Sequence, residues 1–207
     1  MTVTHPLHDV DPGRIDAVVA GQLDAGITAW HTLAEQVSAP AMREAVAAAG
    51  HLVVETLRRG NTILVAGNGG SSAIATHVAA EFTGKCIADR APLPAICLAD
   101  SVASLTAVGN DYGFDQVFVR GVRGLGRPGD LLIAMSTSGR SANITAAVHA
   151  ARERGIATIA LTGGTGGDLV DLADHCLVVP STETPRIQEV HMLWAHAWCE
   201  AVDLLSQ

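Results

Sequence analysis

Five short apolar runs, separated by stretches long enough to be helices, constrain the fold of this 207-residue chain more than any other feature. They are TILVAG (62–67), LPAICLA (93–99), LLIAMS (131–136), ATIALTG (157–163) and HCLVVP (175–180). Each is apolar on both faces, as a strand must be when helices cover both sides of a parallel sheet. Helical segments are expected at about 71–85, 114–125, 141–154 and 184–205, which completes a βαβα rhythm. The expected class is therefore α/β, a three-layer sandwich around a five-stranded parallel sheet.

Ahead of this pattern, residues 1–13 read as a loose arm and 14–59 as two helices split by Ser38-Ala39-Pro40. Ile15, Val18, Val19, Leu23 and Ile27 recur at helical spacing, as do Met42, Val46, Ala49, Val53 and Leu57. Pro40 suits a helix start and Gly60 a helix stop. No linker, repeat or low-complexity tract divides residues 14–207, so one domain is expected. The two leading helices and the long last one exceed what the sheet needs, and could pack together or against another chain.

Composition narrows the function classes. A formal charge of −8 disfavours nucleic acid and anionic membranes, and no apolar run reaches the roughly 20 residues of a membrane span. The first residues lack a secretory pattern and the four cysteines form no CxxC pair. A cytoplasmic protein with buried thiols is the expectation.

The chemistry sits in the loops. In open α/β sheets ligands bind at the carboxyl ends of the strands. Three of those ends are rich in small polar residues: Gly67-Asn68-Gly69-Gly70-Ser71-Ser72, Ser136-Thr137-Ser138-Gly139-Arg140-Ser141 and Thr162-Gly163-Gly164-Thr165-Gly166-Gly167-Asp168. Ser72 replaces the third glycine of a dinucleotide fingerprint, and Gly84-Lys85 lacks the rest of a P-loop. A nucleotide is disfavoured. Hydroxyls and free N–H groups opening a helix still suit a phosphate monoester; ordinary N-capping by Ser138 or Ser141 is the plainer alternative.

His77 and Glu81 lie four apart, one turn along a single helix face. That spacing serves metal chelation or an acid–base pair, although on spacing alone an exposed hydrogen-bonded pair is the simpler reading. The last helix adds Gln188, Glu189, His191, His196 and Glu200; His196, amid Leu193, Trp194, Ala195 and Ala197, reads as a core or interface residue. No Ser-His-Asp arrangement emerges, and the Ser-rich loops contain no nucleophile elbow.

Taken in order, GNGGSSAIATHVAAEFTGK (67–85), GNDYGF (109–114), AMSTSGRSANI (134–144), ALTGGTGGDL (160–169) and TPRIQEVHMLWAH (184–196) resemble the phosphoheptose isomerases of the sugar isomerase (SIS) domain superfamily. The resemblance covers roughly residues 40–205 and implies a flavodoxin-like SIS fold. It implies isomerisation of sedoheptulose 7-phosphate to D-glycero-D-manno-heptose 7-phosphate, or of a related long-chain ketose phosphate, through an enediol. Asn68, Gly69, Gly70, Ser71, Asp111, Ser136, Thr137, Ser138, Ser141 and Gln188 match substrate-binding positions. His77, Glu81, Gln188 and His196 match a zinc site, one ion per subunit, and Glu81 and His196 match the base and the acid. A homotetramer with a phosphorylated C7 or C8 sugar as ligand, and neither nucleic acid nor membrane as partner, is implied too. Three positions depart from the pattern: Ile74 for a common Asp, Lys85 for Arg, and Arg140 for Asn. Two other readings share the motifs: a tetrameric binding platform like the DnaA initiator-associating protein, which lacks a histidine matching His196, and a SIS domain that senses sugar phosphates without turnover.

Overall fold

The computed structural model describes Leu7 and residues 10–207, so most of the expected N-terminal arm lies outside the described residues. Two long helices come first, α1 (Pro12–Val37) and α2 (Pro40–Arg58). Asp11 caps α1 by accepting from the Arg14 N–H at 3.0 Å, and each helix has a proline in its first turn. A proline costs nothing there, because that N–H has no intrahelical partner. α1 thus starts at Pro12, two residues before the sequence-based boundary.

Strands β1 (Ile63–Gly67), β2 (Ala95–Cys97), β3 (Leu131–Ser136), β4 (Ala157–Gly163) and β5 (His175–Val179) form one sheet in the order β2-β1-β3-β4-β5. Every pairing is parallel. This is the doubly wound, flavodoxin-like order, and the chain reverses its winding direction between β1 and β3. Helices α3 (Gly70–Thr83), α4 (Val102–Tyr112), α5 (Val117–Leu125), α6 (Ala142–Glu153) and α7 (Thr184–Leu205) complete the fold.

Alternation along the strands divides the core. Ile63, Val65, Ile133 and Met135 face the layer of α2, α3 and α7, whereas Leu64, Ala66, Leu132 and Ala134 face α5 and α6. Both layers are built from aliphatic side chains with few aromatics, as the composition requires. Among the described residues no helix is long and apolar enough to cross a membrane. All four cysteines are free thiols.

Two elements differ from the sequence-based expectation. β2 is three residues long, an edge strand with Ile96 exposed. α4 was not anticipated: it buries no residue fully, only Leu105 and Val108 pack partly against the core, and Ser101 starts it by accepting from the Ser104 N–H. The expected 114–125 segment divides into a 3-10 turn, Phe114–Gln116, and α5.

Candidate active site

β1 ends on Gly67, whose missing Cβ lets the first turn of α3 approach: a Cβ there would sit 2.5–2.9 Å from Ser71. Gly69 follows with φ +54°, a conformation open to glycine, and the chain turns directly into α3. Gly70 is held close to α7, since a Cβ there would lie 2.6–3.0 Å from the Gln188 amide. The glycines of this loop therefore bring a backbone edge, α3 and Gln188 together.

The β3 loop is fixed by its neighbour. Gly139 has φ +66° and lies so close to the β4 loop that a Cβ would overlap the Gly166 carbonyl, while Asp168 N–H donates to Gly139 O at 3.0 Å. Ser141 opens α6 but makes no side-chain cap; its hydroxyl pairs with that of Ser136 at 2.9 Å. The Ser138 hydroxyl accepts from Arg140 N–H at 3.2 Å. The capping explanation for this serine cluster at Ser141 therefore fails. Beside the loop a cavity of about 820 Å³ is lined by Thr137, Ser138, Arg140, Thr165, Ser181 and Thr182, among others. Arg140 is the one charged side chain in that lining.

The two loops are tied together by a pair the sequence did not suggest. Asn68 and Asn143 exchange reciprocal amide hydrogen bonds of 2.9 and 2.8 Å, and Asn143 is buried. Its signal was present in the SAN that follows the serine loop, but one asparagine in a helix has no local meaning until its partner is known.

His77 and Glu81 share a face of α3, with His77 Nε2 at 3.2 Å from Glu81 Oε1. His196, read from its neighbours as a core or interface residue, is half-buried and points its Nε2 at that of His77, 3.0 Å away. The ligand atoms of His77, Glu81 and His196 lie within 4.8 Å of one another. Glu81 Oε2 is buried and receives no hydrogen bond from nitrogen or oxygen. Two imidazoles and a carboxylate converging with one oxygen unsatisfied fit a divalent cation such as zinc. Gln188 lies eight residues before His196, about 12 Å along α7, which is why its amide sits at the glycine loop instead.

Cys86 adjoins this cluster. Burial first, then the Glu81 carboxylate, push its thiol up to about 11, so it stays protonated. His191, also on α7, is completely buried; its Nε2 meets Thr162 O at 3.1 Å, and desolvation lowers it to about 4. Asp111 lies exposed on α4, where it accepts from Asn110, and shares no hydrogen bond with the other candidate residues. Thus the structure unites His77, Glu81 and His196, joins the Asn68 and Ser136–Ser141 loops, and leaves Asp111 apart.

A hydroxyl-rich loop at the carboxyl end of a 2-1-3-4-5 sheet, with a carboxylate–imidazole cluster between the helices that follow β1 and β5, describes a SIS domain, and the SIS domain family matches residues 28–163. The phosphoheptose isomerase of Rhodospirillum rubrum is 50% identical over 159 residues, 77% of this chain and 85% of the relative. That of Thiobacillus denitrificans is 43% identical over 203 residues, covering 97% and 96%. The solved phosphoheptose isomerase GmhA from Neisseria gonorrhoeae superposes with a TM-score of 0.81 at 42% identity, over 91% of this chain and 98% of that one. The chain belongs to the phosphoheptose isomerases, and it is a sugar phosphate isomerase.

Proposed function

We propose that this enzyme interconverts sedoheptulose 7-phosphate and D-glycero-D-manno-heptose 7-phosphate in the cytoplasm. The observation that carries the reading is the convergence of His77, Glu81 and His196 between α3 and α7, the helices that follow β1 and β5. In this scheme Thr137, Ser138 and the backbone of the 136–141 loop hold the phosphate at the positive end of α6. Asn68, Ser71 and Gln188 meet the sugar hydroxyls. Glu81 removes a proton from C1 of the ketose while His196 donates one to the carbonyl oxygen on C2, which gives the enediol. His196 then takes the proton from the C1 hydroxyl and Glu81 returns its own to C2, which leaves the aldose. One face of the sugar faces Glu81 throughout, so a single carboxylate serves both carbons.

His77, Glu81 and His196 are the proposed zinc ligands, with Gln188 the fourth position implied by the family resemblance. A bound divalent ion would supply Lewis-acid polarisation of the carbonyl and enediol oxygens. Protein purified without a polyhistidine tag should contain about one zinc per chain, and His77→Ala should not. Equal, negligible metal in both would overturn that assignment. The reaction itself is tested by incubation with C6 to C8 ketose phosphates while aldose formation is followed; no turnover of any of them would sink the reading.

A homotetramer is proposed as well. Ile15, Val18, Val19, Leu23 and Ile27 of α1 are all exposed in the single chain, at 47–63% of their surface. A stripe of that length on a soluble protein is the mark of an interface.

A further inference from the structure

The reacting geometry depends on how two helices from distant parts of the chain sit against each other. α3 and α7 both return antiparallel to the sheet, so they run parallel to one another. His77 meets His196 at one point of contact. A second lies beyond the end of α3, where Asp203 is seven residues past His196, about 10 Å along the same face of α7.

At that second point an ion pair is completely enclosed. Arg90 Nε donates to Asp203 Oδ1 at 2.8 Å, with side chains 2% and 0% exposed. Asp203 Oδ2 accepts from the N–H groups of Cys86, Ile87 and Ala88 at 2.8, 2.7 and 3.0 Å. The rest of the guanidinium faces α3: Nη2 donates to Glu81 O at 2.8 Å, and Nη1 to Phe82 O at 2.8 Å and Gly84 O at 3.1 Å. These are carbonyls of the last turn, which have no intrahelical donor. Burial would raise the Asp203 carboxyl, but the N–H donors of Ala88, Ile87 and Cys86 and the Arg90 guanidinium outweigh it and hold it at about 2.

Glu81 therefore sits in the final turn of its helix, where helices ordinarily fray. Its own carbonyl is gripped by an arginine that is bolted to α7. Buried ion pairs contribute little net stability compared with apolar packing, so their directionality is the feature with consequences. We propose that Arg90 and Asp203 are positioning residues that set the register of α3 on α7, and so hold Glu81 and His77 against His196. This rests on the reading of those three residues as the reacting and metal-holding site; the clamp itself touches no substrate.

The test compares Arg90→Lys, which keeps the charge but loses the planar fork, and Asp203→Asn, which keeps the volume, with Leu177→Ala. Leu177 is a buried core residue on β5, so that last variant is a control for lost stability alone. Each is assayed below its own melting temperature, with folding checked by circular dichroism. Zinc titration of metal-stripped protein should show affinity weakened about 10- to 100-fold in the two clamp variants, the usual effect of losing a group that orients metal ligands. Their kcat should fall with KM for the phosphorylated sugar unchanged, because the 136–141 loop makes no contact with the clamp. Leu177→Ala should keep wild-type zinc affinity. Folded clamp variants with wild-type zinc affinity and kcat would overturn the proposal. Wild-type protein that neither binds zinc nor turns over sugar would instead refute the reading of the site. The clamp would then be decided by the crystal structure of Arg90→Lys, where an unmoved α3 overturns it and a displaced one upholds it.

Discussion

α1 and α7 are the two longest helices, each with apolar residues at helical spacing, yet their fates in the fold are opposite. α7 is finished on two faces. One buries Ile187, Val190, Trp194, Trp198 and Val202, and the other presents Gln188 to the glycine loop and His196 to His77. α1 buries Leu33 alone and leaves its first three turns of apolar residues exposed. The spacing of apolar residues states that a helix has a side to cover, and says nothing of what covers it. For α7 the cover is the sheet and α2; for the Ile15–Ile27 stripe of α1 none is supplied among the described residues.

The chemical face of α7 should show the largest effect. Glu81→Gln, which removes the carboxylate opposite His196 at nearly constant volume, should lower turnover about 10²- to 10⁴-fold while circular dichroism and molecular mass stay unchanged. Wild-type turnover in that variant and in His196→Ala would separate α7 from the chemistry altogether.

The core face comes next. Trp198 is buried, donates its Nε1–H to Val46 O at 3.0 Å, and fills the space left by Gly50, where a Cβ would lie 2.7 Å from the indole. Trp198→Ala should cost about 3–5 kcal/mol in urea unfolding. A loss under 1 kcal/mol would mean that α7 is less anchored than its burial implies.

His191 offers a smaller effect with a definite sign. Its folded value is lowered from 6.5 to about 4, chiefly by desolvation. Between those values the unfolded chain binds the proton and the folded chain does not, so stability is complete above pH 6.5 and falls as the pH drops towards 4. The loss is about 3 kcal/mol at most. Denaturation curves at pH 7 and 4.5 should show it in the wild type, and His191→Phe should lack that part of the pH dependence.

The smallest effect on the chain's own stability belongs to α1. Leu23→Asp removes nothing from the core, so the free energy of the isolated chain should move by less than about 0.5 kcal/mol. Its light-scattering mass should nevertheless drop below that of the wild type. Unchanged mass would show that the exposed face of α1 is not an interface, and that the two helices differ for another reason.

Much of this architecture was legible in residue patterns. The five strands fall on the five apolar runs, and α2, α3, α6 and α7 begin within a residue or two of their punctuation at Pro40, Gly70, Ser141 and Thr184. α4 was missed, because only Leu105 and Val108 turn towards the core and none of its residues is fully buried. The glycine and serine loops could be read as phosphate-suited, since hydroxyls at a helix start are a local property. His196 read from its apolar neighbours as a core or interface residue and from the resemblance as a ligand and acid; Trp194 and Ala195 line the core, while its half-buried imidazole turns to His77. Asn143, Arg90 and Asp203 could not be read locally: each acquires its role from a partner 75 or 113 residues away.

What the sequence determined by itself is whatever depends on the period of the chain: the runs that become strands, the turns that demand glycine, and the placing of His77 and Glu81 on one face of α3. Those relations are set by covalent geometry over a few residues and hold in any fold containing the helix. Only the tertiary structure decided that His77 faces His196 across 119 residues, and that an arginine outside both helices grips the end of α3. The reason is physical: a contact between helices depends on the angle and register at which they pack, and these emerge from burying the whole α2, α3 and α7 layer on the sheet.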